Sequence, residues 1–327
     1  MPPHIHDINK CIPVAMKKSV FPILILCLFL WRPDISLTGA KNGLTLWAGV
    51  ILPTLLPFMI CSGAIVSFGG ISLFTKPFRP ILHGILGFSQ EGSYVFLSGL
   101  LCGYPMGAKN CRDFLSYGMI SPEEGNYLLA VSNHPSPMFL LGYAMAGLDT
   151  VCSPAIFLTA IYLPILPVAL LASHFYGYTK KPSWNMNSQP DPGTFSFDEA
   201  FMQGLEAMVK IGGYIMAFSI LACYIQAISP LSPKLNACIL GITEITTGIH
   251  SLKLWLSGPF MAAAVAFAAS FGGFSGIFQT KSVLTSSQAQ KNAGLSIRHY
   301  VLWKLLHASL SCLIMMVLLA FRWKIPG

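Results

Sequence analysis

Two apolar segments of this chain are interrupted midway by glycine and proline, and no other feature constrains its fold as much. Residues 93–109, SYVFLSGLLCGYPMGAK, are broken at Gly99, Gly103, Pro105 and Gly107. Residues 259–281 are broken at Gly272, Gly273 and Gly276. Backbone interrupted at membrane depth loses hydrogen bonds that lipid cannot replace. It is tolerated only inside protein or around a polar cavity. Two such breaks, one in each half of a chain, point to a transport site built from repeated halves.

Membrane depth follows from the composition. Charged residues are 10% of the chain, against roughly 25% in soluble domains. Hydrophobic residues are 54%, in runs comparable to the ~20 residues a spanning helix needs. The runs read as spanning or re-entrant are 18–31, 44–68, 93–109, 127–147, 151–176, 211–229, 235–250, 259–280 and 300–321. The net charge of +8 comes from Lys and Arg scattered at segment ends, where they snorkel or set orientation. No basic stripe with interleaved aromatics occurs, so nucleic acid is not an expected partner and the lipid bilayer is. The nine cysteines include no C-x-x-C. Most lie in apolar runs and read as small buried residues, not as a metal site. Lys17 and Lys18 precede the run Val20–Trp31, which reads as an uncleaved first segment behind a short cytoplasmic tail of residues 1–16.

The stretch 179–199, TKKPSWNMNSQPDPGTFSFDE, carries Pro182, Pro190 and Pro192 and reads as a linker. It divides the chain into an N-terminal tail and first segment, 1–42, a first repeat, 43–178, and a second repeat with a C-terminal helix, 200–327. Each repeat begins Gly-Leu and reaches a G-x-x-x-G break, Gly103/Gly107 and Gly272/Gly276. With Lys17 and Lys18 inside and 93–109 taken as a hairpin that does not cross, Lys76, Arg79, Lys180, Lys181, Arg322 and Lys324 also fall inside. The segment 211–229 then runs opposite to 44–68. The expected fold is an all-α polytopic membrane protein of two inverted-topology repeats with broken helices or re-entrant hairpins. Lys281, Lys291 and Arg298 run against the positive-inside rule in this scheme.

Chemistry is expected where the helices break. At Gly103-Tyr104-Pro105-Met106-Gly107, proline removes a backbone donor and glycine permits a sharp reversal. The helix resuming there aims its first N–H groups at the break and attracts an anion, and Lys109 adds a full charge. The alternative is a G-x-x-x-G packing face. Beside Gly272 and Gly273, the side chains of Ser275, Gln279 and Thr280 offer hydrogen bonds to a solute or to neighbouring carbonyls. Asn133, His134 and Ser136, among Pro135 and Pro137, read as a cavity lining or as interhelical glue. His134 also changes protonation near neutral pH. Glu244 sits in a short apolar run, where an ionisable group is a functional candidate by default. It would couple a proton or cation, or pair with a lysine such as Lys281. No nucleophile elbow, Walker loop, H-E-x-x-H or dinucleotide fingerprint occurs. An enzyme, an ATP-driven pump, a cofactor and a metal are therefore not expected.

The segments WAGVILPTLLPFMICS, GLLCGYPMGAKN, SNHPSPMFLLG, GITEITTG and FGGFSGIFQT, in this order over residues 40–320, resemble the YlbJ-type sporulation integral membrane proteins. These belong to the nucleoside-recognition or Gate-domain group, which is similar to concentrative nucleoside carriers and to the Gate segments of the bacterial ferrous-iron transporter. The resemblance implies a role in endospore formation, with export of dipicolinate across the outer forespore membrane of a spore-forming bacterium. Gly103, Tyr104, Pro105, Gly107, Lys109, Asn133, Pro137, Glu244, Gly272, Gly273, Ser275 and Gln279 match its pattern. The chain departs from it at His134, where a second Asn is common, at Ser136, where Gly is, and at Ile277, where His is usual. These departures bear on the solute more than on the fold.

A small planar dianion suits two half-helix N-termini with Lys109 and Lys281. An iron path would want soft or carboxylate ligands, and only Cys102, Met106 and Glu244 are near. A nucleoside-type carrier using Asn133, Gln279 and Glu244 is the transport alternative. A non-transporting structural factor in spore formation is the other. The expected partners are the bilayer, a small anionic solute and a further copy of the chain. Lys109 is expected at the mouth or wall of the solute path, near water, a helix C-terminus or an acid such as Glu244.

Overall fold

The computed structural model describes residues 14–178, 196–284 and 294–324. Residues 1–13, 179–195 with Lys180 and Lys181, 285–293 with Lys291, and 325–327 lie outside them. The described chain is helical throughout its ordered elements, and five of its helices are long and apolar enough to cross a membrane. It is an all-α polytopic membrane protein.

Serine followed by proline starts many of the helices. The serine hydroxyl accepts a hydrogen bond from a first-turn N–H, and proline lacks the N–H that would be left over. Ser121-Pro122, Ser136-Pro137, Ser153-Pro154 and Ser232-Pro233 all cap helices in this way, the hydroxyls lying 3.2–3.4 Å from the capped nitrogens.

After α1 (Val14–Trp31), the long helix α2 (Pro33–Ser67) passes through a π turn at Trp47–Ile51. The 42/43 boundary read from the sequence falls inside this helix. The second long helix, α8 (Phe197–Ile228), lies along α2. The contact depends on small residues, as packing in lipid does: a Cβ on Gly43 would sit 2.7 Å from the Met216 Cα. The Trp47 indole N–H closes the contact on the Met208 carbonyl at 2.9 Å.

Each long helix is followed by a helical hairpin. The first pairs α3 (Gln90–Cys102) with α4 (Met106–Ser116) around Gly103–Pro105, whose Tyr104–Pro105 peptide is cis. Asn110 of α4 donates to Ser98 of α3 at 2.7 Å across it. The second hairpin pairs α9 (Pro233–Thr243) with α10 (Ile245–Trp255) around Glu244 alone. There Gly241 and Gly248 meet so closely that a Cβ on Gly248 would run into the Gly241 Cα. Gly248→Val is expected to splay this hairpin and cost about 1–3 kcal/mol by overpacking, read as a lower melting temperature in detergent.

A broken helix follows each hairpin. In the first, α5 (Pro122–Val131) gives way to α6, residues 137–144, across an irregular stretch at 132–136. In the second, α11 (Gly258–Phe271) gives way to α12 (Gly273–Leu284) across Gly272, whose φ of 82° only glycine adopts readily. A further span ends each half, α7 (Pro154–Phe175) and α13 (Ile297–Lys324). The counterpart of the 93–109 hairpin in this order is therefore 233–255, not 259–281. The two G-x-x-x-G strings look alike but differ in what they break. Three non-helical residues reverse the chain at 103–105, whereas helix resumes after one at 272.

Candidate functional site

Both hairpin tips and both broken helices meet at one pocket. Its cavity volume is small, about 50 Å³. The first tip contributes Gly103 and Tyr104, the first broken helix Pro135 and Ser136, the second tip Glu244 and Thr246, and α12 contributes Gln279. Apolar residues of α2 and α8, among them Ile51, Leu55 and Ile215, close the remaining walls. Irregular backbone from both halves thus surrounds a space instead of facing lipid, as the loss of helical hydrogen bonds demands.

The tips are tied across the halves. Tyr104, on the first hairpin, donates from its hydroxyl to the Ala269 carbonyl near the end of α11 at 3.1 Å, and its ring lies against Gly272. Tyr143, on the first broken helix, donates to the Thr246 carbonyl at the start of α10 at 2.9 Å. Lys253 of α10 donates back to the Tyr143 carbonyl at 2.9 Å. Each hairpin is therefore held by the broken helix of the other half.

Of the residues singled out in the sequence, Gly103, Tyr104, Ser136, Glu244 and Gln279 line the pocket. Ser275 stands behind it, fully buried, and accepts a hydrogen bond from the Gln279 amide at 3.0 Å, which sets that amide's direction. Asn133 is also behind the wall. Its amide nitrogen bonds the Thr280 hydroxyl at 2.9 Å and the Tyr300 hydroxyl at 2.7 Å, fixing the first broken helix to α12 and α13. Ser136 caps α6. Gly272 and Gly273 pack against Tyr104 and Thr243. Pro105 borders a separate small space with Met106 and Lys109.

Glu244 is buried and caps its own helix. Its carboxylate accepts from the Thr246 N–H at 3.2 Å, the Thr246 hydroxyl at 2.5 Å and the Thr247 N–H at 2.7 Å. Lys281, considered as its partner in the sequence, has its ammonium 5.9 Å from the centre of the Phe278 ring.

Lys109 is placed away from this pocket. It is buried and pairs with Asp113, not Glu244, at 2.8 Å, and reaches Gln203 of α8 at 3.4 Å. Arg112 also pairs with Asp113 and donates to the Val283 carbonyl of α12 at 2.6 Å. Asp113 thereby joins α4, α8 and α12 beside a second small cleft, lined by Asn110, Glu199 and Gln203 among others.

Sequence reading missed the inward face of α13. Tyr300, Lys304, His307 and Ser311 recur there at helical spacing and are all buried. The signal was present as two ionisable residues in an apolar span.

No family model matches the chain, and no solved structure does. The chain is similar to the sporulation integral membrane protein YlbJ of Bacillus subtilis (strain 168), with 25% identity over 294 residues, 78% of this chain and 72% of that protein. That likeness, together with the motifs at the hairpin tips and breaks, supports the YlbJ-type assignment.

Proposed function

We propose that this YlbJ-type membrane protein is a permease for a small anionic solute, dipicolinate, acting in sporulation at the outer forespore membrane. The observation behind this reading is the single pocket walled by both hairpin tips and both broken helices. A scaffold has no need of such a space, whereas a carrier needs one where the halves can move against each other. The repeated order of long helix, hairpin, broken helix and span, with tyrosine links crossing between halves, supports two Gate-like repeats of inverted topology. α4 begins beside the pocket with no side-chain cap, and helix N-termini favour anions, whereas the starts of α6 and α10 are already capped by Ser136 and Glu244. Gln279, aimed by Ser275, offers an amide donor to a carboxylate.

The test is uptake of labelled dipicolinate by the purified protein in vesicles, beside dipicolinate content in spores of a deletion strain. Saturable uptake, and spores poor in dipicolinate, are expected. Gln279→Leu should weaken dipicolinate binding about tenfold or more, since a hydrogen bond to a charged group contributes roughly 1.5–3 kcal/mol. Saturable uptake of nucleosides and not of dipicolinate would favour the nucleoside-type carrier. Dipicolinate-poor spores with no uptake of either solute would favour a structural factor.

A further inference from the structure

The buried face of α13 holds a group of bases that the pocket itself does not use. Lys304 is 1% exposed. Its ammonium donates to the Asn133 carbonyl at 3.0 Å and lies 5.5 Å from the centre of the Tyr104 ring, the pocket wall. Among the described residues no carboxylate forms an ion pair with it.

Two imidazoles complete the group. His134, from the irregular stretch between α5 and α6, and His307, one turn along from Lys304, are each 1% exposed and meet edge to face with ring centres 4.6 Å apart. In both, Nε2 lies against a backbone carbonyl, that of Val131 at 2.6 Å and that of Ile161 at 2.7 Å. A carbonyl only accepts, so Nε2 carries the hydrogen and Nδ1 of the neutral ring presents a lone pair. Both Nδ1 atoms are buried with no protein partner, as is the Asn133 Oδ1. The open positions are acceptors.

The remaining groups around the bases are hydroxyls. Tyr300 and Thr280 bond Asn133, Tyr162 of α7 donates to the Pro135 carbonyl, and Ser311 donates to the His307 carbonyl. Tyr104 comes from the first hairpin tip, and Glu244 lies at the pocket that Tyr104 also lines. An anion would find one donor here. A metal ion would want three or four ligands, and among the described residues no group of three His, Cys, Asp or Glu forms. A proton suits a lone pair on a ring whose other nitrogen is already fixed.

We propose that His134, His307 and Lys304 form a proton-binding site that couples proton movement to that of the anion, a reading that rests on the permease function above. The group holds one proton in all, as an N–H bond on the Lys304 amine or at an open Nδ1, leaving a single positive charge behind Tyr104 and Pro135. That charge favours an anion in the pocket. By reciprocity the anion favours the proton, and both leave together on the other side.

The experiment uses the purified full chain. Dipicolinate binding is measured between pH 8 and pH 6, where both carboxylates of the solute stay ionised, and proton uptake is followed in weak buffer as solute is added. Affinity should rise about 5-fold or more toward pH 6, up to the roughly 100-fold that one proton allows over two pH units, with proton uptake on binding. His307→Gln should keep dipicolinate exchange in vesicles but lose most of this pH dependence, and Lys304→Arg should flatten it through a fixed charge. Wild-type binding that is indifferent to pH, with no proton taken up, overturns the coupling and leaves the permease reading standing, whatever the variants do. Full pH dependence retained in a folded His307→Gln protein overturns the assignment to this group. No dipicolinate binding at any pH overturns both readings.

Discussion

Gly107→Val is expected to abolish folded protein in the membrane. Gly107 and Gly99 face each other across the first hairpin, and a Cβ on either would run into the Ser132 carbonyl oxygen of the first broken helix. A Cβ on Gly99 would in addition sit 2.8 Å from the Gly107 Cα. The obstacle is backbone, which cannot swing aside as a long side chain can. Overpacking costs about 1–3 kcal/mol where neighbours adjust, and here the neighbour is the carbonyl that begins the irregular stretch holding Asn133. Gly107→Val therefore moves two elements of the pocket at once. The measurement is the monodisperse fraction after mild detergent extraction. Near-normal recovery of Gly107→Val, with an unchanged melting temperature, would disprove the close approach. Gly107→Ala should fall between the two.

Asp113→Ala is the second large effect. Asp113 accepts from Lys109 and Arg112, and the three side chains are each 9–14% exposed. Removing the acid takes away the carboxylate that Lys109 and Arg112 both pair with. Breaking a buried pair from one side costs about 3–5 kcal/mol, because the charge left behind has lost its compensation. The same junction links α4 to Gln203 of α8 and to the Val283 carbonyl of α12. Both the melting temperature and the relation between the hairpin and its neighbours should therefore suffer. Adding Lys109→Met to Asp113→Ala should restore part of the loss, since one uncompensated cation is then gone. Equal stability of the single and double variants would show that Lys109 is compensated by something other than Asp113.

The positions of the breaks were legible in the sequence. Gly103 with Pro105, the Pro135–Pro137 pair and Gly272 with Gly273 each remove or redirect backbone donors, and each is a break in the structure. The Glu244 tip was marked only by an acid in an apolar run, since neither glycine nor proline adjoins it. What pairs with what was not legible. A G-x-x-x-G string reports close packing or reversal, and only ψ, −178° at Gly103 against 1° at Gly272, and the length of the irregular stretch decide between a hairpin and a broken helix. The 44–68 run starts well after α2 does at Pro33, because Asp34, Lys41 and Asn42 keep the first turns of that helix from counting as apolar. Asn133 was marked as cavity lining or interhelical glue, and the sequence could not choose between them. Its amide bonds the helices behind the pocket, while Ser136 and the Tyr104 ring face the space. Lys304 and His307 were passed over because basic residues near a helix end ordinarily anchor it at the interface. Only the inward turn of α13 separates a buried base from an anchor.

The interruptions of this chain are gathered at its centre, and so its outer surface is ordinary helix. Val209, Phe260, Leu302 and Leu170 are each 62–71% exposed, and to a hydrocarbon solvent one aliphatic or aromatic group is nearly as good as another. Descent should leave an uneven trace in such a molecule. Outward positions are free to drift among Leu, Ile, Val and Phe with little penalty, and over long times their identities are erased. Ser-Pro helix starts, facing glycines, the two tyrosine links and the inner face of α13 have no interchangeable substitutes. Distant relatives should accordingly agree in short islands set wide apart along the chain, and those islands should fold back onto one place.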